Sequence, residues 1–338
     1  MKVLISDFPD SMMPDHSLES ATLRKGLGPD LQIEVLPYAK DERERFLSSL
    51  SDADALLTAF VPIDEEALKR ASRLKVIAIN ATGYDNVDLA AATARNVGVC
   101  PVGEYCTWDV SEAAIAYMFA LNKGLKSYQR QIEGEHRWDY AGVSAQPRMQ
   151  DQTLGIVGFG KIGRCTAEKC RDLVGRVIAC DPYVAEGEFS ARGVEKVDAE
   201  RIFAEADIIV NHMNLNETNH GFFNEAAFAR MERHPLLINL GRGLCVNEND
   251  LVKALDSGQI RAFGADVLYD ETPKLDGHPL VGRDNVIITP HSAFYSTSSM
   301  RDLQVLSCRN IVNYMQGHRD KLFKLVNEAV VVRPSAQG

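Results

Sequence analysis

No stretch of this sequence approaches the roughly 20 consecutive apolar residues that a membrane-spanning helix needs. The apolar run in the opening MKVLISDFPD is too short for a secretory leader. The expectation is a cytoplasmic protein with no membrane partner. The seven cysteines (Cys100, Cys106, Cys165, Cys170, Cys180, Cys245, Cys308) form no CxxC pair, and an odd count in a chain of 338 residues fits reduced thiols rather than a disulfide framework. The eight histidines include no HExxH and no Cys/His cluster at zinc-ligand spacing, so no metal site is expected. Positive charge is in short supply: 37 Lys and Arg stand against 47 Asp and Glu, a net charge of -10. Such a surface is poorly suited to tracking a phosphodiester backbone, which argues against a nucleic-acid partner. Low-complexity segments and fixed-period repeats are missing as well.

What is present is an ordinary globular composition, 45% hydrophobic and 25% charged, in a chain long enough for two domains with separate cores. The first hundred residues alternate short apolar runs (KVLIS, LQIEVLP, ADALLT, LKVIAIN, VGVCP) with charged amphipathic stretches, the pattern of beta-alpha units on a parallel sheet. From Val110 to about Tyr128 the apolar spacing predicts one long connecting helix, and the polar text from there to Gln152 reads as an irregular arm. The alternation restarts at TLGIVGFGKIGR and continues through RVIAC, ADIIVNH, LLINL, FGADVL and NVIIT, a second parallel sheet. After His291 another long helical pattern follows, whose expected berth is back on the first domain. The fold expected is therefore α/β, with two doubly wound parallel-sheet domains. A substrate domain formed by residues 1–102 and 293–338 would be interrupted by a nucleotide-binding domain at 103–292.

Gly158, Gly160 and Gly163 form a GxGxxG that directly follows the predicted strand TLGIV and opens the predicted helix KIGRCTAEKC. In that setting the first glycine permits a tight turn and the second lets backbone approach a pyrophosphate. The third allows close helix–strand packing, with the phosphates facing a helix N-terminus. Asp181 closes the next strand 18 residues beyond Gly163, near the spacing at which a carboxylate accepts hydrogen bonds from an adenosine ribose. Asp-Pro also starts turns, and both readings are compatible with a loop at the carboxyl edge of the sheet. The expected cofactor is NAD, lined by Gly158, Phe159, Gly160, Lys161, Ile162, Gly163, Asp181, His212, Met213, Leu240, Gly241, Arg242, Asp266 and His291.

Three polar segments follow strands of this second sheet: NLGRG (239–243), ADVLYDETP (265–273) and TPHSAFYS (289–296). Ligands of open parallel sheets sit outside the carboxyl ends of the strands, so Arg242, Asp266, Glu271 and His291 are candidates for one crevice. Hydride transfer to a 2-oxo acid needs a cation for the carboxylate and carbonyl, and an acid that delivers a proton as charge develops on oxygen. An arginine and a histidine supply both.

Read with GFGKIG and the earlier ATGYDNVDLAAA, these segments resemble the signatures of the D-isomer-specific 2-hydroxyacid dehydrogenases, in the same order and over nearly the whole chain. The resemblance implies a Rossmann NAD-binding domain inserted into a flavodoxin-like substrate domain, and transfer of hydride between NAD(H) and C2 of a small 2-oxo or 2-hydroxy acid. It assigns Arg242 to the substrate carboxylate and carbonyl, His291 to acid/base work, Glu271 to stabilising protonated His291, and Asp266 to the nicotinamide amide. Backbone amides around Thr82 and Gly83 would hold the other side of the substrate carboxylate. It also implies a homodimer formed through the nucleotide domain and the arm from about Lys126 to Gln152, where Trp138 stands in polar surroundings.

The chain departs from the family pattern in two places. A His-x-Pro-Leu segment is replaced by His212, Met213, Asn214 and Leu215, and Glu-Pro becomes Glu271, Thr272, Pro273. NHMNLNETNHGFF and TPHSAFYS are closest in wording to the C-terminal binding protein branch, so the competing reading is an NADH-sensing interaction module. Only about 20 residues follow the predicted last helix, too few for a recruiting tail, which favours the enzyme. Cys245, two residues after GRG, is read as a buried inert thiol.

Overall fold

Runs of branched aliphatic residues become strands in both halves of the chain, as the computed structural model, which describes residues 1–333, shows. β1 (Lys2–Ile5), β2 (Gln32–Val35), β3 (Ala55–Thr58), β4 (Val76–Ile79) and β5 (Gly98–Pro101) pair in the order β2-β1-β3-β4-β5, every pair parallel. That is the flavodoxin-like doubly wound order. The residues of β3 and β4 are buried throughout, because helices cover both faces of a parallel sheet and leave no wet side to alternate toward. Successive side chains of β1 enter opposite cores: Leu4 packs with Phe46, Leu56 and Ile77, while Val3 and Ile5 pack with Leu57, Cys308 and Ile311. The second of these cores is completed by the helix Thr297–Met315, which begins in a capping box between Ser296 and Ser299 and lies against the helix Ser17–Leu27 and β4. These elements make one unit, Met1–Tyr105 together with the segment from Ser296 onward.

The other unit, Cys106–Tyr295, carries β6 (Thr153–Val157), β7 (Arg176–Cys180), β8 (Glu195–Lys196), β9 (Ile208–Asn211), β10 (Leu236–Asn239), β11 (Ala262–Ala265) and β12 (Val286–Ile288). Their order is β12-β11-β10-β9-β6-β7-β8, again all parallel. Counted from β6, the first six follow the 3-2-1-4-5-6 order of the dinucleotide-binding fold, with one strand added at the far edge. β8 has two residues and no signature in the sequence. The chain passes between the units at 105/106 and 295/296, three residues beyond the 102/103 and 292/293 read from the sequence. The end of the expected C-terminal segment, residues 334–338, lies outside the described residues.

The long helix expected from Val110 to Tyr128 is two helices, Thr107–Asn122 and Leu125–Glu135. Gly124 separates them at a left-handed φ of 60°, where a Cβ would also stand 2.6 Å from Val143 Cγ1. The arm is accordingly helical up to Glu135. Polar contacts dock this second helix: Lys126 Nζ donates to the carbonyls of Arg283 and Val286 at 2.7 and 2.6 Å, and the buried Gln131 donates to Asp139 O at 2.6 Å. The apolar Leu125 and Ile132 of this helix remain exposed, so polar contacts and not a buried apolar face hold it. No described helix is long and apolar enough to cross a membrane.

Candidate active site

The glycine-rich turn leaves β6 with each glycine under a different constraint. Gly158 has a φ of 92°, and a Cβ on it would come within 2.7 Å of Met213 N. Gly163 faces Gly158 O, 2.2 Å from where its Cβ would be, so the helix Lys161–Cys170 lies directly on the turn. Gly160, by contrast, caps that helix with nothing within 4 Å of its missing side chain. The protein leaves open the one position where backbone would approach a phosphate. Beside it a cavity of about 950 Å³ runs over the carboxyl ends of β6, β7 and β9, with Gly158, Asp181, Tyr183, His212 and Met213 in its wall. It lies where the strand order reverses between β6 and β9, the position and size a dinucleotide requires.

Asp181 Oδ2 accepts from Phe159 N and Oδ1 from Tyr183 N, both at 2.9 Å, so this carboxylate ties the glycine turn to the end of β7. The Phe159 ring is fully buried and stacked on Phe189, and the Ile162 and Leu240 side chains also pack into the core, so these three offer a ligand backbone alone. Lys161 is exposed in the first turn of its helix. Two cations missed in the sequence, Lys196 and Arg201, also line the cavity. Lys196 Nζ donates to Val184 O at 2.6 Å, and Arg201 is held between Glu195 and Glu205 at 2.8 and 2.9 Å. Nothing near Asp181 in sequence signals either residue, because β8 and the helix Ala199–Glu205 deliver them.

The other candidates stand on loops at the carboxyl ends of β10, β11 and β12. After β10, buried Asn239 Oδ1 accepts from Asn211 Nδ2 and Gly241 N, and Asn239 Nδ2 donates to Arg242 O at 3.0 Å. Gly241 and Gly243 let this loop rest on neighbouring backbone: their Cβ atoms would lie 2.5 Å from Met213 O and 1.7 Å from Leu268 O. Half-buried Arg242 donates to Gly241 O at 2.9 Å and makes no ion pair among the described residues. Its guanidinium therefore keeps donors for an anion.

Asp266 is buried and ion-pairs with nothing among the described residues. Its Oδ1 accepts from Ser292 N at 2.8 Å and from the Thr289 hydroxyl, and its Oδ2 accepts from Ala293 N at 2.8 Å. The loop so held contains His291, whose φ of 50° is left-handed, an uncommon conformation for a residue with a side chain. His291 N donates to Asp266 O at 2.8 Å, and Nδ1 lies 2.9 Å from Glu271 Oε2 with both side chains half exposed. The structure thus brings Glu271, Asp266 and His291 together: Asp266 and Glu271 on the loop after β11, the neighbour of the β10 strand that carries Arg242, and His291 on the loop after β12. Thr82 and Gly83 belong to the other unit, in the loop that leaves β4, where a Cβ on Gly83 would meet nothing closer than 3.8 Å.

A nucleotide fold, an open glycine turn and an imidazole–carboxylate pair on adjoining strand ends define an NAD-linked oxidoreductase site. A family model described as D-isomer specific 2-hydroxyacid dehydrogenase, NAD binding domain, matches residues 115–293. The chain is 30% identical over 304 residues to a glyoxylate reductase of Korarchaeum cryptofilum, covering 88% of this chain and 90% of that protein. It is 28% identical over 279 residues to a D-3-phosphoglycerate dehydrogenase of Archaeoglobus fulgidus, covering 81% of this chain and 52% of that one, so it spans about half of that relative's length. The solved apo-structure of D-lactate dehydrogenase from Escherichia coli matches with a TM-score of 0.78 at 25% identity, covering 97% of this chain and 99% of that one. The chain belongs to the D-isomer-specific 2-hydroxyacid dehydrogenase family, and its cofactor is NAD.

His212 lines the cofactor cavity with its ring enclosed. Nε2 meets Thr166 Oγ1 at 3.0 Å, Nδ1 is shielded without a partner, and burial pushes the imidazole down to about 3. An unfolded-chain imidazole titrates near 6.5. Between those values the unfolded chain takes up a proton that the folded protein refuses, so this residue lowers stability as pH falls from about 6.5 toward 3. His212→Asn should therefore lose less Tm than the wild type on going from about pH 7.5 to about pH 5. Equal losses in the two proteins would show that the ring is not held neutral.

Proposed function

We propose that this protein reduces a short 2-oxo acid to the D-2-hydroxy acid with NADH. Arg242 grips the substrate carboxylate and polarises the carbonyl, and His291 delivers the proton while Glu271 stabilises its charged form. NADH supplies the hydride when bound. Backbone amides around Thr82 and Gly83 serve the substrate carboxylate, and unit 1 is the substrate domain. The observation that carries this reading is the 2.9 Å approach of Glu271 Oε2 to His291 Nδ1. With Nδ1–H donating to the carboxylate, Nε2 is the nitrogen left to exchange a proton with substrate oxygen. Buried Asp266 serves as the anchor of the His291 loop in this reading, through the three donors it accepts. Short 2-oxo acids such as glyoxylate and hydroxypyruvate head the panel to assay, since one relative is a glyoxylate reductase.

General acid catalysis contributes about 10²- to 10⁴-fold, so His291→Asn should lose that much in kcat while NADH binding persists. Unchanged turnover would remove His291 from the mechanism. In Glu271→Gln kcat should fall as the imidazole loses the carboxylate that holds Nδ1, and an unchanged kcat would separate the two residues functionally.

Asp181 supports a preference for NADH over NADPH, because a carboxylate at the adenosine 2'-position accepts from hydroxyls and repels a phosphate. At about 4 Å near a surface the repulsion is of the order of 4 kcal/mol before screening. Lys196 and Arg201, the cations in the same wall, already have partners that compete for them. In Asp181→Ser the ratio of kcat/KM for NADPH to that for NADH should rise, and the KM for NADH should rise too as Phe159 N loses its acceptor. Equal use of both cofactors by the wild type would defeat the proposal.

The same reading includes a homodimer built on unit 2 and the segment 126–152, in which Trp138 and Tyr140 are 92% and 88% exposed. Burying two such rings is a strong incentive to associate. Light scattering at micromolar concentration should give twice the 37.4 kDa chain mass, and a monomeric mass would exclude this assembly.

A further inference from the structure

Tyr117 sits on the helix Thr107–Asn122, in a segment that reads as an ordinary apolar helix face. The residue is buried, yet its hydroxyl lies 2.9 Å from Ala265 O and 2.5 Å from Thr289 Oγ1. Thr289 Oγ1 is in turn bonded to Asp266 Oδ1. An ionised carboxylate accepts and cannot donate, so the Thr289 hydroxyl must give its single proton to Asp266. The Thr289 oxygen is then an acceptor, and the single Tyr117 O–H proton is shared between it and Ala265 O. The chain therefore has one direction, from Tyr117 to Thr289 to Asp266, and it ends on the carboxylate that receives Ser292 N and Ala293 N just after the His291 turn. Bonds that end on a charge are stronger than neutral ones, and each donor in a chain polarises the next. The tyrosine ring is itself fixed, since a Cβ on Gly264 of β11 would fall 2.6 Å from Tyr117 Cδ1.

We infer that Tyr117 is a positioning residue of the reductase, acting through Thr289 and Asp266 to hold the left-handed His291 backbone that presents the imidazole to Glu271. This rests on the assignment of His291 as proton donor. Tyr117 touches neither substrate nor cofactor in this scheme. Its work is to keep the loop after β12 in a conformation the backbone does not favour, in register with the end of β11. The other ionisable groups that line the space beside His291 are Lys126, Asp266, Asp270 and Glu271, and none of them reaches the loop backbone from the helix side as Tyr117 does.

Tyr117→Phe keeps the ring and removes only the hydroxyl. Its kcat should fall about threefold to tenfold, the scale of one or two neutral hydrogen bonds. The Kd for NADH and the KM for the oxo acid should stay within twofold. Thr289→Val should reproduce this loss and Thr289→Ser should restore most of it. The double variant Tyr117→Phe/Thr289→Val should be no slower than the worse single variant, because both break one chain. Wild-type kcat in Tyr117→Phe, or a loss confined to Tm, would overturn the inference, and additive losses in the double variant would do the same. His291→Asn tests the underlying assignment separately. If it is inactive while Tyr117→Phe turns over normally, the positioning role fails alone, and if it turns over normally the catalytic reading fails first.

Discussion

A carboxylate taken out of water without a cation has to be satisfied by hydrogen-bond donors, and the way Asp266 meets that demand shapes the whole carboxyl end of the nucleotide sheet. Its two oxygens collect the hydroxyl of Thr289 and the amides of Ser292 and Ala293, and its own carbonyl collects the amide of His291. Four residues of one loop are thereby tied to a single position at the end of β11. A left-handed histidine costs of the order of 1 kcal/mol or more and persists only where the surroundings over-determine it. Here they do. Removing Asp266 would leave the loop's donors without an acceptor and the His291 turn without restraint, so the geometry of the imidazole is inherited from a residue that never has to meet the substrate.

The second constraint is steric, and glycine supplies it in two loops. Gly163 lies on Gly158, Gly158 and Gly241 lie on the chain at 212–213, and Gly243 lies on Leu268, each so close that a methyl group would overlap backbone. Backbone laid on backbone cannot relax by rotating a side chain. The loops after β6, β9, β10 and β11 therefore form one interlocked rim, and a displacement of any of them is passed to its neighbour. Gly160 alone on this rim faces open space, which is why its lack of a side chain is informative about a ligand and not about packing.

Much of this was legible in the sequence. Aliphatic runs at regular spacing predict both parallel sheets, and the loops ADVLYDETP and TPHSAFYS already group Asp266, Glu271 and His291, which the structure joins by hydrogen bonds. The illegible parts share a physical cause: they rest on hydrogen bonds between residues far apart in the chain. The helix Leu125–Glu135 is docked by Lys126 and Gln131 through carbonyls, while its Leu125 and Ile132 stay exposed, so no buried apolar face marks its extent. Lys196 and Arg201 reach the cofactor cavity through a two-residue strand and a short helix that no periodicity announces. Tyr117 looks like one more aromatic on a buried helix until its hydroxyl is found 172 positions from its partner Thr289.

Asp266 and Glu271 show how environment divides labour between like side chains. Both follow β11 within a few residues. One is buried and occupied by donors of its own chain, while the other is half exposed and paired with an imidazole. A carboxylate whose oxygens are already engaged by main-chain amides can fix a backbone, because protonating it would forfeit those bonds. A carboxylate in contact with solvent and with a titratable ring can respond to the charge on that ring, because water screens it and leaves it free to reorient. Exchanging the two would give a rigid partner for the imidazole and a mobile anchor for the loop. The burial of Asp266 and the exposure of Glu271 are therefore as much a part of the site as their identities.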